Sequence, residues 1–140
     1  MNPVSEDIKD VLVRVGVGIF AKADGDGWSI FLVEEPEEPN NTVTVFESES
    51  VGGVAKSYDT GNDFNKSGFQ LRVRGPSWLE ARKKIESVAL KINRIGKFAA
   101  ADGTKYNNIV INGEPKFLAK DQKGRFIWIV YGVGFRQKGN

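Results

Sequence analysis

Apolar residues at Val4, Ile8, Val11, Leu12 and Val15 recur at the three- and four-residue spacing of one helix face. Pro3 suits the first helical turn and Asn2 is the predicted N-cap. Glu6 and Asp7 lie where the positive end of the helix favours acidic groups, and Gly16 and Gly18 are expected to end it. Residues 23–27, Ala-Asp-Gly-Asp-Gly, read as a turn. Trp28 to Val33, apolar except at Ser29, is the first predicted strand. Thr42 to Phe46 is a second, β-branched one. Between them Glu34 to Asn41 carries two prolines, which lack the amide donor an interior strand needs, so it reads as an acidic loop.

Residues 47–66 are polar and glycine-containing, and the pattern predicts a long flexible loop there. Phe69, Leu71 and Val73 then alternate with Gln70, Arg72 and Arg74, a half-buried strand with a basic outer face. Ser77 with Glu80 forms a capping box. Trp78, Ala81, Ile85, Val88, Ala89 and Ile92 line one face of the long helix that follows, with Gly96 as its expected C-cap. Its other face carries Arg82, Lys83, Lys84, Lys91 and Arg94 against Glu80 and Glu86. Asn108 to Ile111 reads as a short strand closed by an Asn112-Gly113 turn, and Phe117-Leu118 as the opening of another. After a turn at Asp121–Gly124, Arg125 to Arg136 is apolar on both faces and belongs in the middle of a sheet. The order of elements predicts one α+β domain over 1–140. Its sheet is mixed or largely antiparallel, with an N-terminal helix and one long helix packed on it.

Composition narrows the chemistry. The chain has 140 residues, 40% of them hydrophobic and 27% charged, an ordinary globular profile. There is no Cys and no His. Their absence removes thiol nucleophiles, disulfides and the side chain best suited to proton transfer near neutral pH, together with the commonest metal ligands. No cofactor and no metal are expected. The formal charge of +2 gives no strong pull toward nucleic acid. The opening Met1-Asn-Pro-Val-Ser-Glu-Asp lacks the basic start of a signal peptide, and the run from Val11 to Phe20 is too short to span a bilayer. A cytoplasmic origin with no membrane partner is the expectation.

Each apparent motif has a simpler reading. Gly16-x-Gly18-x-x-Ala21 follows a helix instead of a strand, the wrong order for a dinucleotide fingerprint. Gly52-Gly-Val-Ala-Lys56-Ser57 lacks the glycine before the lysine that a phosphate loop requires. Asp24-Gly-Asp26 supplies only two calcium ligands, and Trp28 stands where a third belongs. Glu34, Glu35, Glu37 and Glu38 could serve a hydrolase only with a second carboxylate across a cleft and a burial-raised pKa; on a proline-rich loop they read as solvated. Arg72 and Arg74 with Phe69, Trp128 and Tyr131 suggest a platform for single-stranded nucleic acid, but Phe69 points away from both arginines by strand alternation.

One ordered set of motifs is more specific. It comprises the Ser5-Glu-Asp-Ile-Lys-Asp-Val-Leu helix, Pro36-Glu-Glu-Pro39 feeding Thr42 to Glu47, Phe69 to Arg74 turning through Gly75-Pro-Ser77 into a capped helix, and Pro115-Lys-Phe117-Leu118 before Asp121-x-x-Gly124-Arg125. In that order they resemble the minor capsid, or tail terminator, family of long-tailed bacteriophages. The sequence departs from the family pattern over 47–66, so no contact there is carried over. The resemblance implies a structural virion protein without an active site. It would form a homo-oligomeric ring, usually a hexamer, that caps the tail tube and ends its polymerisation. Head-completion proteins are the implied partners on the other side, and genomic DNA passes through the channel without specific binding. A ring needs two different complementary patches per subunit. The acidic Glu34, Glu35, Glu37 and Glu38 against the basic Arg72, Arg74, Arg82, Lys83 and Lys84 are the candidate contact surfaces.

Overall fold

The structure, a computed structural model, describes residues 2–21, 27–48 and 64–137. Helix α1, Val4–Arg14, buries Val4, Ile8, Val11 and Leu12, the apolar stripe that the spacing predicts. Pro3, not Asn2, occupies its N-cap position and makes no side-chain cap bond. The helix starts one residue later than a cap at Asn2 requires, and the Asn2 amide instead donates to Asp102 Oδ2 at 2.8 Å. Gly16 takes the left-handed conformation, φ 79°, that ends helices. Gly18 does not terminate the helix but leads into a strand, β1, Ile19–Phe20, which the sequence pattern did not indicate.

Six further strands follow: β2 Ser29–Leu32, β3 Thr42–Ser48, β4 Phe64–Gly75, β5 Phe98–Ala99, β6 Lys105–Lys120 and β7 Phe126–Gln137. They form one sheet in the order β1-β2-β3-β4-β7-β6-β5. β1, β2 and β3 run parallel, and every other pairing is antiparallel, so the sheet is mixed. β7 lies inside it between β4 and β6, as two-sided burial predicts. The expected loop 47–66 is not a loop at either end. Its ends belong to β3 and β4, where Glu47 pairs with Phe69 and Lys66 with Phe135; 49–63 lie outside the described residues, as do 22–26.

The Asn112-Gly113 pair is not a turn. β6 runs through it as one strand, with a register shift between Asn112 and Lys116 that absorbs the left-handed Gly113, φ 77°. The uninterrupted partner strand β7 supplies the ladder that holds both halves together, so Asn108–Ile111 and Phe117-Leu118 are parts of one element. Asp121–Gly124 is the turn of this hairpin, with the Gly124 amide bonded to the Asp121 carbonyl at 3.0 Å.

Helix α2, Trp78–Asn93, is capped by Ser77 Oγ, which accepts from the Glu80 amide at 3.1 Å. Its buried stripe is Ala81, Ile85, Val88, Ala89 and Ile92. Trp78, expected in that stripe, is 42% exposed, with its ring edge-on to Trp128 at 5.1 Å. At the other end Arg94 is the C-cap, and Gly96, φ 68°, lies two residues beyond. Both helices pack on the face of the sheet that carries Val43, Val45, Phe69, Leu71, Val73, Trp128 and Val130. The packing is close enough that a Cβ at Gly132 would stand 2.8 and 2.9 Å from Phe69 Cε2 and Cε1. Glycine there lets the Phe69 ring lie against the β7 backbone.

Candidate assembly surface

The opposite face of the sheet carries Thr42, Thr44, Arg72, Arg74, Ile127 and Ile129, brought abreast by the register of β3, β4 and β7. The connection from β2 to β3, residues 33–41, joins two parallel strands without a helix and folds onto this face. Arg74 holds it there. Its Nη2 donates to the carbonyls of Pro36 at 2.5 Å and Pro39 at 2.8 Å, and its Nη1 lies 3.5 Å from Glu35 Oε1. Arg74 is buried, and desolvation pulls its pKa down while Glu35 pushes back up. A guanidinium suits this position because its planar fork reaches two carbonyls at once.

A second clamp sits beside the first. Arg125 donates through Nε to Asp121 Oδ2 at 2.8 Å, and through Nη1 to the Glu37 carbonyl and to Asn40 Oδ1. Lys123 Nζ lies 3.0 Å from Glu38 Oε1 and 3.8 Å from Glu37 Oε2. Partial desolvation raises the Asp121 pKa, but the hydrogen bonds from Arg125 outweigh it and hold the carboxyl below its ordinary value. The Lys123 bond likewise lowers Glu38. Neither Lys123 nor Arg125 stood among the sequence candidates; their signal was the Asp121-x-x-Gly124-Arg125 motif, which reads as a turn and as part of the ordered set but assigns no contact to either residue.

The nine candidate residues therefore separate. Arg74 belongs to the interior and Glu35 pairs with it, so Arg74 is not part of a basic outer face and Glu35 is not a solvated carboxylate. Glu37 and Glu38 are exposed but already face Lys123. Glu34 is exposed, with no partner among the described residues. Arg72 lies over the Phe46 ring, 4.9 Å from its centroid. Lys84 donates to the Val17 carbonyl at 2.6 Å and lies over Trp28, with its pKa lowered by burial. Lys83 is exposed at an open cleft of about 410 Å³ that Trp28, Asn41, Glu80, Lys84 and Ser87 also line. Arg82 pairs with Glu86 at 2.8 Å and stacks over both Trp78 and Trp128.

The nucleic-acid platform does not come together. Phe69 and Trp128 point into the helix-covered core, and of the three aromatics named with the arginines only Tyr131 shares their face, bonded to Gln70 Nε2 at 3.3 Å. Among the described residues no group of three or more Asp and Glu side chains is placed to hold a metal ion. No described helix is long and apolar enough to cross a membrane. The turn at 24–26 and the Gly52 to Ser57 segment lie outside the described residues.

Exposed apolar side chains in two places escaped the sequence reading. At the tip of the β6–β7 hairpin, Trp78 stacks edge-on against Trp128 at 5.1 Å, and Phe117 meets Trp128 at 5.6 Å and Phe126 at 6.1 Å. Trp78, Phe117 and Leu118 are all substantially exposed. On the far flank, Ile19 and Phe20 of β1 and Val33 after β2 are exposed as well. Helix spacing places Trp78 in the buried stripe and strand spacing places Phe117 in a short strand, and neither periodicity indicates how far each side chain is covered.

No protein-family model matches the chain, and no curated protein matches it. Among solved structures, the fold is similar to that of a chain in the virion of a native gene transfer agent particle. The likeness covers 96% of this chain and 95% of that one, with a TM-score of 0.58 and 11% identity. It extends over the whole domain, and at that identity it establishes a shared fold.

Proposed function

We propose that this protein is a structural, non-enzymatic virion protein of a long-tailed phage or phage-like particle. In this reading it is the tail terminator: a homo-oligomeric ring, a hexamer in the family it resembles, that caps the finished tail tube and stops its growth. Its outer face meets the head-completion proteins, and genomic DNA passes through the channel without specific binding. The protein is assembled in the host cytoplasm and resides at the head–tail junction.

The observation that carries the reading is the end-to-end fold likeness to a component of a gene transfer agent virion. The ordered motifs that resemble the tail terminator family support it from an independent direction, since they come from sequence alone. A chain without His or Cys also suits an assembly role better than proton-transfer or thiol chemistry. Exposed apolar side chains at the β1 edge and an exposed aromatic cluster at the β6–β7 hairpin suit a chain that assembles with others.

The test is assembly. Light scattering should give a mass several times that of the 15.5 kDa chain, and electron micrographs should show rings. Addition of the protein to polymerising tail-tube subunits should yield tubes of limited length. A strict monomer at every concentration that leaves tube length unchanged would overturn the proposal.

A further inference from the structure

We propose that Asn112 is a site of spontaneous deamidation in the folded protein, where the backbone nitrogen of Gly113 attacks the Asn112 side-chain amide. The inference is independent of the assembly reading and concerns the one Asn-Gly pair in the chain.

The fold leaves the reacting atoms accessible. Asn112, Gly113 and Glu114 are all exposed. Residues 113–115 stand opposite Val130 alone in the β6–β7 ladder, because Asn112 pairs with Tyr131 and Lys116 with Ile129. Such a bulge frees the chain from the regular strand geometry that would hold a side-chain amide away from the next backbone nitrogen. The Ile111 amide donates to Asn93 Oδ1 at 3.0 Å, so it points away from β7. Amides two residues apart on a strand face the same edge, so the Gly113 amide also emerges on the outer edge of β6. Beyond Tyr106 no described strand pairs with that edge. No turn carbonyl or side-chain acceptor among the described residues takes the Gly113 amide either. There is room for a ring to form, since a Cβ built on Gly113 would meet nothing within 4 Å. Glycine itself adds no side chain to obstruct the approach.

The step balances with water as its co-reactant. The Gly113 nitrogen gives up its proton and bonds to Asn112 Cγ; the Cγ–Nδ2 bond breaks and ammonia leaves, closing a succinimide ring. Water then opens the ring at either carbonyl. One opening gives aspartate at position 112, the other isoaspartate, in which the main chain runs through the side-chain carbons. Either product adds a negative charge on the exposed edge close to Glu114. Isoaspartate also lengthens the backbone by a methylene where β6 pairs with Tyr131.

Two other sites with related chemistry are tied down. At Asp102-Gly103 the Gly103 amide donates to the Ala100 carbonyl at 2.9 Å, and the Asp102 carboxylate accepts from the Thr104 and Asn2 amides at 2.9 and 2.8 Å. At Asn93-Arg94 the Arg94 amide bonds back to the end of α2, and Asn93 Oδ1 accepts from Ile111. A nitrogen committed to an acceptor, next to a carboxyl or amide group that is itself held, must lose those bonds before a ring can close. Both sites therefore serve as internal controls.

The test is peptide mapping by mass spectrometry of the full chain, kept folded or unfolded in urea, in mildly alkaline buffer at physiological temperature. The peptide holding Asn112 should gain the mass that replaces NH by O, and methyltransferase labelling should find isoaspartate in it. Its rate in the folded chain should lie within about tenfold of that in urea, whereas the Asp102 and Asn93 peptides should lag much further behind their own urea rates. In isoelectric focusing an acidic isoform should grow markedly faster in the unmodified chain than in Asn112→Gln, whose longer side chain closes the ring far more slowly. A folded-state rate at Asn112 more than about tenfold below the urea rate overturns the proposal, and so does an acidic isoform that grows equally fast in Asn112→Gln.

Discussion

Replacing Arg74 with Met keeps an unbranched side chain of similar length but removes the fork that holds the 33–41 connection. Two charge-assisted hydrogen bonds, to the Pro36 and Pro39 carbonyls, are lost together with the facing charge for Glu35. Breaking a buried charged contact by deleting one partner costs about 3–5 kcal/mol, consistent with two such bonds at about 1.5–3 kcal/mol each. Unfolding entropy near 60 °C is about 2.1 cal/mol/K per residue. For 140 residues, 1 kcal/mol then shifts the midpoint by about 3 °C. Arg74→Met should therefore melt roughly 10–15 °C below the unmodified protein in a calorimetric scan. Arg74→Lys should also lose stability, because one ammonium is a poor substitute for a planar fork across two carbonyls. In the double variant with Glu35→Gln the losses should be less than additive, since the two side chains share one interaction. A drop below about 3 °C for Arg74→Met would show that water satisfies those carbonyls equally well. The connection would then be a tethered surface loop instead of part of the folded layer.

Three further outcomes are expected. Gly132→Ala should cost about 1–3 kcal/mol in urea unfolding, because the new methyl group meets the fully buried Phe69 ring in a central strand; an unchanged midpoint would mean that the ring can shift freely. Ser77→Ala should cost about 1 kcal/mol through loss of the α2 cap, with helix content unchanged by circular dichroism. Asp7→Asn should change the pH dependence of stability. Burial raises the Asp7 carboxyl above its ordinary 3.8 more than the Tyr106 hydrogen bond lowers it, with Asp102 and Asp10 adding to the rise and Arg136 opposing it. The folded chain thus binds an extra proton, so the Asp7 term loses stability as pH rises from about 4 through the folded value. Asp102, held down to about 2 mainly by its hydrogen bonds with Thr104, acts in the opposite sense, its stabilisation being lost as pH falls below about 4. The melting temperature of Asp7→Asn should accordingly rise relative to that of the unmodified protein from pH 4 to pH 7, and an offset that stays constant would sink this account.

The two helices, the strands β2, β3, β4 and β7 and the interior place of β7 were legible because each rests on local spacing, whereas β6 was legible only as two separate pieces. A stripe at Val4, Ile8, Val11 and Leu12 has one low-energy use, and a strand apolar on both faces must have cover on both. The two-residue strands β1 and β5 left no such trace, since two residues carry no period and pair only because neighbours present an edge. At Asn112-Gly113 the local turn preference was real, but a continuous ladder with β7 outweighed it, and the left-handed residue became a bulge.

The candidate surface divides on the same line. Charge type and the acidic connection between β2 and β3 could be read residue by residue, as could the absence of His and Cys. Which charges face solvent could not. Arg72 and Arg74 are identical in sequence terms, two positions apart on one strand face, yet Arg74 is buried beneath the Pro36–Pro39 segment while Arg72 lies over the Phe46 ring. The exposed Phe20 and Phe117 are residue types that local patterning assigns to a core. Burial depends on how far an element overhangs its neighbours, a long-range quantity, whereas periodicity reports only the side of an element on which a residue stands.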